Sequence, residues 1–103
     1  MYVHLGVRFE WDEAKRAANL VKHGVDFADV PQMFVGPMLI GRDTRKDYGE
    51  ARQVGFGFIL GRLMVVTFTE RESDTIRIIS ARKANTREKI FYQETLAHEL
   101  GKN

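Results

Sequence analysis

Five cations, Arg71, Arg77, Arg82, Lys83 and Arg87, are interleaved with strand-forming and helix-opening residues in the second half of this chain. Guanidinium groups fixed on a sheet are suited to grip phosphate, because a planar fork of N–H donors matches paired phosphate oxygens. On a regular strand Arg77 and Arg82 have opposite parity, so they share one surface only if the strand twists or ends before Ala81. Arg82 and Lys83 lie where the chain enters its last helix, and the free N–H groups of a helix start also attract anions. Glu50 and Arg52 stand two apart at the start of a strand-like run, which directs both to one face. They are either a general base beside its phosphate-binding partner or a surface ion pair worth about 0–1 kcal/mol. Spacing does not separate the two.

The first half offers fewer candidates. Lys15, Asn19, Lys22 and His23 form a polar stripe on a helix, which is either a set of donors to phosphate or a solvated face. His23 can take or give a proton near neutrality, its ordinary pKa being about 6.5. Trp11 is either a platform for a nucleobase, worth ~1–3 kcal/mol per base, or a core residue closing over the helix entry or against Arg16. His4, His23 and His98 are far apart and the carboxylates form no compact cluster, so neither a metal site nor a cofactor is expected. The absence of cysteine removes disulfides, thiolate catalysis and cysteine-ligated zinc.

The elements that must position these groups read as β-α-α-β-β-β-β-α. Val7 to Trp11 alternates as a short strand does. Asp12 caps a helix that Lys22-His23-Gly24 ends, with Ala14, Ala17, Ala18 and Val21 as its inward stripe. A second, shorter helix is expected from the cap Asp26 to about Phe34, with Phe27, Val30 and Phe34 inward and Pro31 near its first turn. Met38 to Arg42 suggests a strand, and Asp43 to Gly49 a charged loop. Strands then run from Arg52 to Leu60, Leu63 to Thr69 and Ile76 to Ala81, the first pair joined by a two-residue turn at Gly61-Arg62. Asn85 and Glu88 open a C-terminal helix with a capping-box variant, running to about Leu100 with Tyr92, Leu96 and Leu100 as its apolar stripe.

With 103 residues and 44% apolar content, one hydrophobic core and a single domain over 1-103 are expected. The net charge of +2 is too small to argue for a polyanion partner. Its distribution is more informative: residues 1-51 carry seven basic and eight acidic side chains, residues 52-103 nine and six. No secretory leader or membrane span is evident, so a soluble cytoplasmic protein is expected.

Taken in order, Phe9-Glu10-Trp11-Asp12, Asn19, Lys22-His23-Gly24-Val25, Phe27, Gly49-Glu50 with Arg52, Thr69-Glu70-Arg71, Arg77-Ile78-Ile79-Ser80-Ala81-Arg82-Lys83-Ala84, Arg87-Glu88 and Tyr92 resemble the BrnT family. The likeness spans roughly residues 9-92, with residues 1-8 as an extension. Val35-Gly36 stands where that family often has an acidic residue. The resemblance implies a RelE-like α+β fold, two N-terminal helices packed on an antiparallel sheet of about four to five strands, with a C-terminal helix. It also implies the toxin of a type II toxin-antitoxin pair: an RNA endonuclease that inhibits translation and growth. Its expected partner is a BrnA-like ribbon-helix-helix antitoxin, bound as a heterotetramer that represses its own operon; operator DNA is met only through that complex.

RNA carries its own nucleophile, the 2′-OH, so cleavage needs a proton acceptor, a proton donor and cations, and no metal. On that mechanism His23 or Glu50 handles the proton, while Arg52, Arg71, Arg77 and Arg82 hold the phosphate. Trp11, Lys15, Lys22, Arg62, Lys83 and Arg87 contact the strand. The alternatives are a non-catalytic module whose arginines only position phosphates, or a degenerate toxin that keeps antitoxin binding alone.

Overall fold

A computed structural model of the protein describes residues 2-4, 6-44, 49-72 and 74-101. Its strands are β1 (Tyr2–His4), β2 (Val7–Glu10), β3 (Leu39–Arg42), β4 (Gln53–Ile59), β5 (Arg62–Arg71) and β6 (Thr75–Lys83). They form one six-stranded sheet in the order β1-β2-β6-β5-β4-β3. Two expectations change here. The extension adds β1, paired antiparallel with β2, and β2 runs parallel to β6, so the sheet is mixed rather than wholly antiparallel. The helix between β2 and the later strands supplies the long connection that a parallel pair requires.

One face of the sheet is sealed. Phe9, Val66, Phe68, Ile78 and Ala81 meet Val25, Phe27, Val30 and Met33, all buried, in the main core. The last three belong to a 3₁₀ segment, Phe27–Phe34, where an α-helix was expected. Asp26 caps it as anticipated, but Pro31 falls in its middle, where an α-helix would lose a hydrogen bond and meet the pyrrolidine ring. Phe34 is half-buried, with its ring 5.3 Å from Phe9 and 5.2 Å from Phe68. Gly55 and Gly57 explain the alternation of large residues with glycine in β4: a Cβ on Gly55 would lie 2.5 Å from Met38 Cε, and one on Gly57 3.0 Å from Met38 Cγ. These bare positions let Met38 and Met33 lie directly on the strand.

Helix α1 (Glu13–His23) is capped by Asp12 and ends at Gly24 in the left-handed region, as its sequence signals predict. Its packing face is not the alanine stripe. Ala14, Ala17, Ala18 and Val21 are all exposed, and Asn19 is the buried residue. The reason lies at β6. Its pairing with β2 stops at Arg77, leaving the later edge of β6 without a neighbouring strand. The Asn19 carboxamide takes that place, donating to Ala81 O (2.8 Å) and Val25 O (2.9 Å) and accepting from Ala81 N (3.2 Å). Satisfying those backbone groups outweighs burying four small side chains.

The turn after β4 is shifted by one residue from its expected place. Leu60 and Gly61 are its central pair, at φ 49° and 77°, with Ile59 opposite Arg62. Positive φ at both places matches the twist of the flanking strands. Of the charged loop, residues 45-48 lie outside the described residues, as does Ser73 in the turn before β6. Helix α2 (Thr86–Leu100) opens with the full capping box of Asn85 and Glu88. It lies on the second face of the sheet, where Tyr92, Leu63, Val65 and Ala84 form a smaller core. Leu96 packs at its margin, whereas Leu100 is exposed. Toward Thr67, Ser80 and Arg82 that face opens into a cleft.

Candidate functional site

The parity conflict between Arg77 and Arg82 is resolved by a bulge. Thr67 pairs with Ser80 but Phe68 pairs with Ile78, so Ile79 is an extra residue in β6. Before it, Ile76 and Ile78 point into the main core, and after it Ala81 does so. Arg77, Ser80 and Arg82 consequently share the open face. One inserted residue converts an odd spacing into an even one.

On that face a cleft of about 290 Å³ is lined by Val54, Val65, Thr67, Ser80, Arg82 and Glu88, with Arg42, Asp43 and Thr44 on its far side. Arg82 grips Glu88 through two bonds of 2.7 Å, and the same carboxylate accepts from Asn85 N at 2.9 Å. The Arg82 guanidinium, with burial opposing it and the backbone N–H assisting, holds the Glu88 carboxyl below its ordinary pKa. Across the cleft Asp43 is buried, and its N–H donates to Arg52 O at 2.8 Å. This bond ties the cleft wall to a second group, in which Glu50 lies 3.6 Å from Arg52 Nε and 3.4 Å from Arg71. At those lengths both are mainly electrostatic contacts. Further along, Arg77 meets Glu10 at 2.8 Å.

Arg52, Arg71, Arg77 and Arg82 thus each face a carboxylate, with Glu50 shared between two. The remaining candidates lie elsewhere. Trp11 is half-buried, edge-on to Phe27 at 6.4 Å, and its indole N–H donates to Glu13 at 3.0 Å. Its stabilising partner is Glu13, since Arg16 turns to Asp26 with bonds of 2.7 and 2.9 Å. That pairing, together with the Ala28 N–H, lowers the pKa of Asp26. Lys15 and Lys22 are exposed on α1, and His23 is half-buried at its end. Among the described residues no hydrogen bond or ion pair joins His23 to the arginines of the open face. Arg62 and Lys83 both line a separate depression beside Gly24 and Val25, and Arg87 is exposed on the first turn of α2.

Sequence reasoning overlooked Asp43, Thr67, Ser80 and Arg42 as lining residues, and Glu10 and Glu88 as the partners of Arg77 and Arg82. Glu88 carried a signal, the capping box, but only for its helical role. Among the described residues no group of three or more His, Asp or Glu is placed to hold a metal ion, and no helix is long and apolar enough to cross a membrane.

Guanidinium groups, hydroxyls and carboxylates gathered on one face of the sheet make the chain a small α+β domain with a polar cleft. The chain belongs to the BrnT family, the ribonuclease toxins of type II toxin-antitoxin systems, whose profile it matches over residues 11-88. It is similar to the crystal structure of the Brucella abortus ribonuclease toxin BrnT, with 32% identity and a TM-score of 0.64 over 78% of this chain and 99% of that one. No curated protein sequence matches it.

Proposed function

We propose that the open face is the active site of an endoribonuclease that cuts RNA without a metal and thereby inhibits translation and growth. The observation that supports this most is the bulge at Ile79, which sets Arg77, Ser80 and Arg82 on one surface with the Arg52–Glu50–Arg71 group. In this reading Glu50 accepts the 2′-OH proton while Arg52 and Arg71 steady it, and the departing 5′-oxygen takes its proton from water. Arg82, fixed by Glu88, stabilises the charge that develops on the phosphorane. Arg77 holds a neighbouring phosphate. His23 remains a second candidate for the proton, and Lys15, Lys22, Arg62, Lys83 and Arg87 attract the strand at longer range. The sheet-and-helix arrangement supports a relationship to the RelE ribonucleases.

The proposed partner is a ribbon-helix-helix antitoxin, in a heterotetramer that binds operator DNA. The protein is proposed to act in the cytoplasm. Purified wild-type protein should cleave RNA in excess EDTA and leave a 2′,3′-cyclic phosphate and a 5′-OH. Arg82→Ala should lose cleavage and growth arrest with an unchanged circular dichroism spectrum. A requirement for Mg²⁺ would overturn the mechanism. A folded, fully active Arg82→Ala protein would remove the site.

A further inference from the structure

The polar cleft does not end at Val54. Arg42 and Val54 also line a second hollow of about 340 Å³, which continues between the edge strand β3 and helix α2. The character of the wall changes along this path. Arg82, Ser80 and Thr67 mark one end, whereas Leu39, Phe56 and Phe91 mark the other. Phe56 and Phe91 meet edge to face at 5.7 Å, and Phe91 keeps 54% of its surface exposed. An aromatic ring braced by a second ring, yet open to solvent, is a stacking platform for a flat heterocycle. Thr95, half-buried, borders the hollow and can offer a hydroxyl to a base edge.

We infer that this trough is a nucleobase subsite: a base next to the cleaved phosphodiester stacks on Phe91 while its phosphate lies between Arg42 and Arg82. The inference rests on the ribonuclease reading and deepens it by naming what holds the substrate beside the reacting group. Single-stranded RNA is favoured as the occupant because the apolar trough is continuous with a polar cleft in which two guanidinium groups, Arg42 and Arg82, and the hydroxyls of Thr67 and Ser80 stand beside Asp43 and Glu88. A ligand that alternates flat apolar rings with anionic links matches that sequence of walls. Phe91 contributes here by stacking, and no step of the chemistry passes through it.

The test uses the full-length protein and two uncleavable RNA oligonucleotides with methylated 2′-hydroxyls, one intact and one with an abasic position scanned along the strand. Phe91→Leu keeps apolar volume but loses the aromatic face. It should weaken binding of the intact strand by about 5- to 150-fold and leave the affinity for the correctly placed abasic strand unchanged. Phe91→Tyr should restore wild-type behaviour, which excludes misfolding as the cause. Equal affinities of wild type and Phe91→Leu for intact RNA would overturn the subsite. So would a Phe91→Leu protein that binds RNA normally but has lost the antitoxin, since the trough would then seat the protein partner. Because these strands cannot be cut, the outcome is independent of cleavage, and failure of the ribonuclease reading shows separately in the EDTA assay.

Discussion

Asn19 shows how a single side chain can fix an element that its own helix would not otherwise reach. Its carboxamide satisfies the N–H and C=O of Ala81 and the C=O of Val25, all in a buried setting. Asn19→Ala strands those three backbone groups, and each buried polar group left unpaired costs about 1–3 kcal/mol before relaxation. The expected loss is about 2–4 kcal/mol in urea unfolding, against less than about 0.5 kcal/mol for Val21→Ser on the exposed side of the same helix. Equal losses at the two positions would mean that the helix does pack by its apolar stripe. This residue was visible in the sequence only as one member of a polar stripe. Hydropathy puts asparagine outside, and nothing local announces that a strand edge far along the chain lacks a partner.

Among the elements, α2 is coupled to the site through its first turn. Glu88 caps the helix and pairs with Arg82, and the guanidinium holds its folded pKa below the ordinary value. A depressed carboxylate contributes stability that is present above its unfolded pKa of about 4.3 and lost as pH falls through the folded value. Acidification below about pH 4 should therefore fray α2 first, seen as faster amide exchange at residues 86-92. Glu88→Gln should show that faster exchange already at neutral pH and little further acid dependence. Strand β6 carries a different dependency. Deleting Ile79 removes the bulge and turns either Arg82 or Arg77 to the wrong side of the sheet, so cleavage should be lost and the melting temperature should fall. Retention of activity would show that the bulge does not set the site. Caps, turns and strand runs were legible because each is signalled by adjacent residues: Asp12 with Gly24, and Asn85 with Glu88. The bulge, the parallel β2–β6 pair and the 3₁₀ segment were not, since each depends on which distant chain lies alongside.

For the whole molecule, the sheet divides the labour, with one face sealed by α1 and the 3₁₀ segment and the other opening into a cleft beside α2. Four arginines on that open face predict salt-sensitive RNA binding. If all four reach phosphates, the slope of log affinity against log salt for a single strand is about −3, and Arg82→Ala should reduce its magnitude by about 0.7. A slope near zero would mean that the face does not meet the backbone of RNA. In the proposed reading the Arg77–Glu10 ion pair has a bearing on turnover as well. A phosphate held by Arg77 would take the place of Glu10, so docking there would be an exchange between two occupants, and part of the gross attraction would cancel. The displaced carboxylate would compete with product and favour its departure. Replacing Glu10 with glutamine would then trade release for retention, giving a protein that grips RNA harder and recycles more slowly.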